Sequence, residues 1–312
     1  YRDSTFRNFG GPLPPDYPNL IPASEITSPD HPDVYVFDKD FRNPRTLTLS
    51  AGYEREIATG FAVGISYQHS QTDFLTRFVN RNDPVFGSPW STGLAPGGAN
   101  GIGTLTVVES SARSRYNGVT LEVKGNPSPA LQFQANYTLS GDRSSDDNER
   151  DPFSFRYARA DRLNAEYGWS DRDQRHRFNG WLLARIPGSV FMNHRISFAS
   201  AQPMSEKCGP GNAGTGERAA SPGERICADG SILPRNTLRK ENEFFSWDVR
   251  LSRAFELGER RAVEVILDIF NITNSDNFRD PAATSLLFNF DGTVRGGLGD
   301  PRQAQLGMRV VF

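Results

Sequence analysis

Apolar and polar residues alternate with period two along much of this chain. The last ten residues show it plainly: Ala304, Leu306, Met308, Val310 and Phe312 share one side, and Gln303, Gln305, Gly307 and Arg309 the other. Side chains of an extended strand point alternately to its two faces, so the segment predicts a strand with one apolar face, broken only by Val311 on the polar side. The same pattern predicts a hairpin near the start. Leu47, Leu49, Ala51 and Tyr53 alternate with Thr48, Ser50, Gly52 and Glu54; after a turn at Ala58 to Gly60, Phe61, Val63, Ile65 and Tyr67 alternate with Ala62, Gly64, Ser66 and Gln68. A third strand runs through 114–125, with Val119, Leu121 and Val123 against Thr120, Glu122 and Lys124, and Thr104 to Val108 is read as its extension. Leu131, Phe133, Ala135, Tyr137 and Leu139 against Gln132, Gln134, Asn136, Thr138 and Ser140 make the cleanest strand.

Further on, 175–186 has less distinct faces, because Trp181 and Leu183 oppose Phe178 and Leu182, while Val190, Met192, Ile196 and Phe198 form an apolar face that His194 interrupts. Trp247, Val249, Leu251 and Phe255 oppose Asp248, Arg250, Ser252 and Glu256, and Val263, Val265, Leu267 and Ile269 oppose Glu264 and Asp268.

About nine strands emerge, and their connections alternate between a few residues and roughly 25 to 40, the rhythm of transmembrane β-barrels with short periplasmic turns and long extracellular loops. The long connections fall near 80–103, 142–172, 201–242 and 274–302, and the strand directions they set put the C-terminus in the periplasm. A tilted strand of about ten residues crosses the hydrocarbon core. The expected fold is therefore all-β, an antiparallel transmembrane β-barrel over 46–312. Residues 1–45, rich in proline, are read as an extracellular loop or chain-start segment. A soluble edge strand remains an alternative for the last segment taken alone, but a soluble sandwich or propeller has no reason to gather every long loop at one end.

Composition narrows the function classes. With 35 basic and 37 acidic residues among 312 and a net charge of −2, the basic footprint of a nucleic-acid binder is missing. No run approaches 18 apolar residues, which excludes membrane-spanning helices and leaves barrel strands untouched. The opening Y-R-D-S-T-F-R-N-F-G has neither a charged nor an apolar leader region, so either a leader has been removed or, as the proline-rich residues 1–45 favour, the sequence begins within a longer protein. Asp142, Asp146, Asp147, Glu149 and Asp151 match no calcium loop and read better as a solvated charged loop than as a cation site. His31, His69, His176 and His194 form no ligand pair, and Arg175, His176 and Arg177 suggest a salt-bridge ladder where a strand enters the membrane. No nucleophile motif occurs, so no catalytic residue, metal ligand or cofactor site is assigned and the chain is not read as an enzyme. Two glycosylation sequons, at Asn136 and Asn271, are read as lying within strands. Trp247, Phe61 and Phe255 suit interfacial aromatic girdles.

Five stretches carry a family resemblance: R-N-P-R-T-L-T-L-S-A-G-Y-E-R at 42–55, S-R-Y-N-G-V-T-L-E-V at 114–123, L-Q-F-Q-A-N-Y-T-L-S at 131–140, D-Q-R-H-R-F-N-G at 173–180 and D-I-F-N-I-T-N at 268–274. Together with the terminal Phe312 they resemble the barrel of TonB-dependent outer-membrane receptors, particularly the Oar-like group. The resemblance implies the C-terminal strands of a barrel of about 22 strands around a plug. It implies ligand capture at the extracellular loops, a TonB partner engaged through a region N-terminal to Tyr1, and recognition of Leu306, Met308, Val310 and Phe312 by the barrel-assembly machinery. No segment resembles the plug or the TonB box. A passive porin-like or adhesive barrel is the alternative, and the ligand cannot be read. Glu122, Lys124, Arg250, Glu264, Asp268 and Arg309 are expected on the lumen side, for plug or cargo contact or for cross-strand ion pairing. In an oxidising compartment the two cysteines, Cys208 and Cys227, are expected to form a disulfide rather than stay as free thiols.

Overall fold

The computed structural model describes residues 33–82, 104–147, 154–258, 261–277 and 301–312. The chain divides into two compact units, a smaller one of Tyr1–Phe41 and Phe78–Glu109 and a larger one of Arg42–Arg77 and Ser110–Phe312. Its strands are β1 (Val34–Phe37), β2 (Arg45–Ala58), β3 (Phe61–Asn80), β4 (Leu105–Ser128), β5 (Leu131–Ser144), β6 (Gly168–Trp169), β7 (His176–Ile186) and β8 (Val190–Ala199). Four short strands follow, β9 (Pro203–Met204), β10 (Glu206–Cys208), β11 (Gly214–Arg218) and β12 (Leu238–Arg239), then the long β13 (Phe244–Gly258), β14 (Arg261–Phe270) and β15 (Gln303–Val311).

The long strands lie side by side in the order β15-β14-β13-β8-β7-β5-β4-β3-β2, so each neighbours the long strand before it in sequence. Their ladders are antiparallel. In the smaller unit, β1 pairs in parallel with Leu105 to Val108, and Arg81 pairs with Glu109. Val34–Phe37 is thus a strand inside the segment read from sequence as loop. The two sheet edges among the described residues are β2 and β15.

Directly paired residues point to the same face, and register carries one apolar face across the sheet. Gly125, Phe133, Leu182, His194, Val249, Ile269 and Ala304 form one continuous row, and Leu131, Ala184, Met192, Leu251, Leu267 and Leu306 the next. Among the described residues no second layer covers this face: Leu306 is 77% exposed, Met308 71% and Leu47 57%. Apolar surface on that scale is stable in lipid, where the hydrogen-bonded ladder between the two edges leaves no polar backbone group facing the hydrocarbon.

The short turns meet at one end. Gly60, with φ of +72°, accepts at its carbonyl from the Asn126 N–H at 2.6 Å, and a Cβ there would lie 2.4 Å from the Asn126 oxygen. Only glycine tolerates both that backbone region and that approach. Gly125 is needed for another reason, since the Phe133 ring occupies the place a Cβ would take, 2.2 Å away.

Three sequence readings are corrected and one is explained. The ladder of Arg175, His176 and Arg177 is absent: Arg175 comes within 3.9 Å of Asp173, His176 hydrogen-bonds Tyr137 at 2.7 Å, and Arg177 donates to Gln174 at 3.1 Å. Asn271 sits in the turn after β14 with φ of 46°, so its sequon is not in a strand. Trp181 and Leu183 blurred the faces of β7 because both belong to the polar face, paired with Gln134 and Gln132. Asp146 and Asp147 are not solvated, as described below, whereas Glu149 and Asp151 lie outside the described residues.

Candidate functional site

The polar face of the sheet collects the charged residues that alternation singles out. From Glu264 and Arg309, register leads through Ala254 to β13, from Arg250 through Asn193, Leu183 and Gln132 to β5, and from Gln134 and Asn136 to Lys124 and Glu122. Parity therefore puts Glu122, Lys124, Arg250, Glu264, Asp268 and Arg309 on one face, opposite the apolar one.

They pair with one another. Arg250 makes a two-pronged contact to Asp268, Nε to Oδ1 at 2.6 Å and Nη2 to Oδ2 at 3.1 Å, and Gln305 also donates to Asp268 at 3.4 Å. Arg309 lies 2.8 Å from Glu264, its direct register partner. Lys124 bridges Glu54 at 3.0 Å and Glu122 at 3.1 Å, and Gln134 donates to Glu122 at 2.6 Å. Near the short turns, Glu54, Glu56, Lys124, Gln132, Gln134 and Trp181 line a recess of 520 Å³. Cross-strand pairs of this kind hold a polar wall in register. They leave its outer hydrogen-bonding positions open to water or to a polar partner.

At the other end of the sheet, residues 145–147, 154–175 and 201–242 pack into a platform. The Cys208–Cys227 disulfide ties β10 to the segment after the 3-10 turn Pro222–Arg225, with Cα atoms 5.3 Å apart. Glu166 and Arg225 are fully buried and paired, and Glu166 Oε1 also accepts the Ala158 N–H at 2.8 Å. Arg235 pairs with Asp147 and lies 3.8 Å from Asp171, Arg239 pairs with Asp173 at 2.8 Å, and Arg77 lies 3.5 Å from Asp146. Burial alone would raise the Asp171 carboxyl, but Arg235 and Arg156 beside it, with an Asn236 hydrogen bond, hold it below the usual carboxylate range. These partners are 59 to 88 residues apart in sequence, which is why a composition-based reading took the acids as solvated. The arginine cluster Arg225, Arg235 and Arg239 in one loop was the signal available.

The apolar face also carries polar contacts that alternation flagged or missed. Trp247 Nε1 donates to His194 Nδ1 at 3.0 Å, which satisfies the histidine that interrupts β8. Tyr67 donates to Asn117 Oδ1 at 2.8 Å, and His69 Nδ1 lies 2.8 Å from the same oxygen. Among the described residues no group of three His, Cys, Asp or Glu side chains could hold a metal ion.

A one-sided apolar sheet whose opposite face is ion-paired and polar defines a wall of an outer-membrane barrel. The chain belongs to that family: the model for the outer membrane beta barrel domain matches residues 2–202. The outer membrane transporter YddB from Escherichia coli is similar in structure, with TM-score 0.52 and 14% identity over 91% of this chain and 35% of that one. The FrpB iron transporter from Neisseria meningitidis is matched at TM-score 0.49 and 15% identity over 88% of this chain and 32% of that one. The ferric-catecholate import receptor Fiu from E. coli K12 is matched at 0.49 and 14% over 88% and 29%. At these identities the likeness is one of fold, and the chain spans about a third of those proteins' length. No curated protein matches it in sequence.

Proposed function

We propose that the chain is the C-terminal part of the barrel of a TonB-dependent outer-membrane transporter of the Oar-like group, a barrel of about 22 strands. The observation that carries this reading is the sheet of long strands in sequence order with one lipid-suited face and two edges, β2 and β15, unpaired among the described residues. Unpaired edges are not stable in hydrocarbon, so the sheet closes with further strands. The paired strands of Glu122, Lys124, Arg250, Glu264, Asp268 and Arg309 line the lumen, where their ion pairs keep the wall polar and their free positions meet a plug. The platform stapled by Cys208 and Cys227 is the ligand-facing surface outside the cell, the C-terminus is periplasmic, and Leu306, Met308, Val310 and Phe312 present the insertion strand to the assembly machinery. TonB engages a region N-terminal to this chain. A passive porin-like or adhesive barrel, the other reading, shares the wall but needs no energy input. Uptake by the full-length protein in cells with and without TonB separates them: we expect accumulation only with TonB, and equal accumulation in both strains refutes energy coupling.

A further inference from the structure

The apolar face of β4 and β5 changes character abruptly at the platform end. On β4 it runs Gly125, Val123, Leu121 and Val119, then Asn117, Arg115 and Arg113; on β5 it runs Leu131 to Leu139, then Gly141 and Arg143. From Gly125 to Asn117 is about 27 Å of strand, or about 20 Å along the normal at a tilt of about 40°, close to the ~25 Å apolar band of a barrel. The arginines begin where hydrocarbon ends.

Their arrangement is unfavourable without an anion. Arg115 and Arg143 are direct register partners on adjacent strands, a like-charge opposition that weakens a sheet. Neither they nor Arg113 has a carboxylate partner among the described residues, and all three are exposed. Aromatic rings hold Arg113 and Arg143 instead. Arg143 and Arg175 lie over the Trp169 ring at 4.4 and 4.3 Å, and Arg113 lies over Tyr167 at 4.5 Å. Trp169 rests against the sheet at Gly141, where a Cβ would come within 3.2 Å of the ring. Arg115 keeps one hydrogen bond, to Gln71 at 3.2 Å. Arg175 is partly neutralised by Asp173, 3.9 Å away, so Arg113, Arg115 and Arg143 carry the uncompensated charge.

We propose that this outward-facing collar docks the phosphate-bearing headgroup of an outer-leaflet glycolipid. Fixed guanidiniums supply forked donors to phosphate oxygens. Their depth, just past the apolar band, is that of a headgroup, and three uncompensated positive charges complement a phosphorylated one. The proposal rests on the reading that the apolar face meets lipid.

The test uses the full-length protein, with binding to vesicles containing lipid A measured by flotation. Arg115→Gln with Arg143→Gln should weaken binding about 30-fold, since each basic residue near an anionic surface is worth about fivefold. Binding to phosphatidylcholine vesicles should not change. The unmutated protein should lose a comparable amount when the lipid A phosphates are removed enzymatically, an arm that decides the matter even if the variant fails to fold. Millimolar inorganic phosphate should not displace the lipid; displacement would mean that the collar takes free phosphate and would overturn the lipid assignment. Equal binding to phosphorylated and dephosphorylated lipid A also overturns it. If the unmutated protein shows no heat-modifiable gel mobility in any lipid, the membrane-face reading fails, and this proposal fails with it.

Discussion

Leu267→Arg places a guanidinium in the middle of the apolar face. Leu267 pairs with Leu251 and Leu306, and the rows above and below hold Val249, Ile269 and Ala304, then Arg253, Val265 and Met308. Little packing is lost, since no layer covers this face, so the cost is that of a charge in hydrocarbon, about 2 to 4 kcal/mol at the midplane. Arg253 lies one row toward the short turns, about 7 Å along the strand, and gives a new guanidinium a route to the same polar level by snorkelling. That puts the expected cost near the lower end, about 2 kcal/mol. Ile266→Arg is the matched control. Ile266 lies on the polar face opposite Ser252 and Gly307, flanked on its own strand by Glu264 and Asp268, so an arginine there finds water and carboxylates and should cost under about 1 kcal/mol. Folded fraction against denaturant in phospholipid vesicles, read from gel mobility without heating, measures both. Equal costs, or a larger cost at Ile266, would refute the assignment of faces. Alternation alone nominates Val265 for this test, but Val265 sits directly opposite Arg253, which stacks over Phe255 at 4.8 Å, so that depth is already partly polar.

The platform supplies two further expectations. Cys208→Ser with Cys227→Ser removes the constraint on the intervening loop, worth about 3 kcal/mol of chain entropy, and should raise amide exchange across 206–227 while leaving β13 and β14 unchanged; detection of both thiols as free in the unreduced protein would show that no bridge forms. Because Asp171 is held below its ordinary value, its contribution is fully present above the unfolded carboxylate range near ~3.9 and is lost as pH falls through the lower folded value. Protection of 169–173 should therefore not fall between neutrality and about pH 5 and should fall only below about 4, and a loss centred near neutrality would contradict the Arg235 assignment.

The strands, their faces and the rhythm of short and long connections were legible in the sequence because each depends on neighbours one or two residues away. Period-two alternation in 131–140 or 303–312 leaves one solution once one side must meet lipid. Local pattern could not settle the outcome where partners lie far apart. The extension of β3 to Asn80 depends on strand pairing beyond the apolar band, where alternation no longer pays, whereas that of β4 back to Leu105 was already legible at Thr104 to Val108. Whether Asp146 and Asp147 are solvated or buried depends on Arg77 and Arg235, and His194 is tolerable on an apolar face only because register brings Trp247 beside it. The opposition of Arg115 to Arg143 is likewise a fact of register: each residue is unremarkable in its own strand, and only the pairing puts two uncompensated charges side by side.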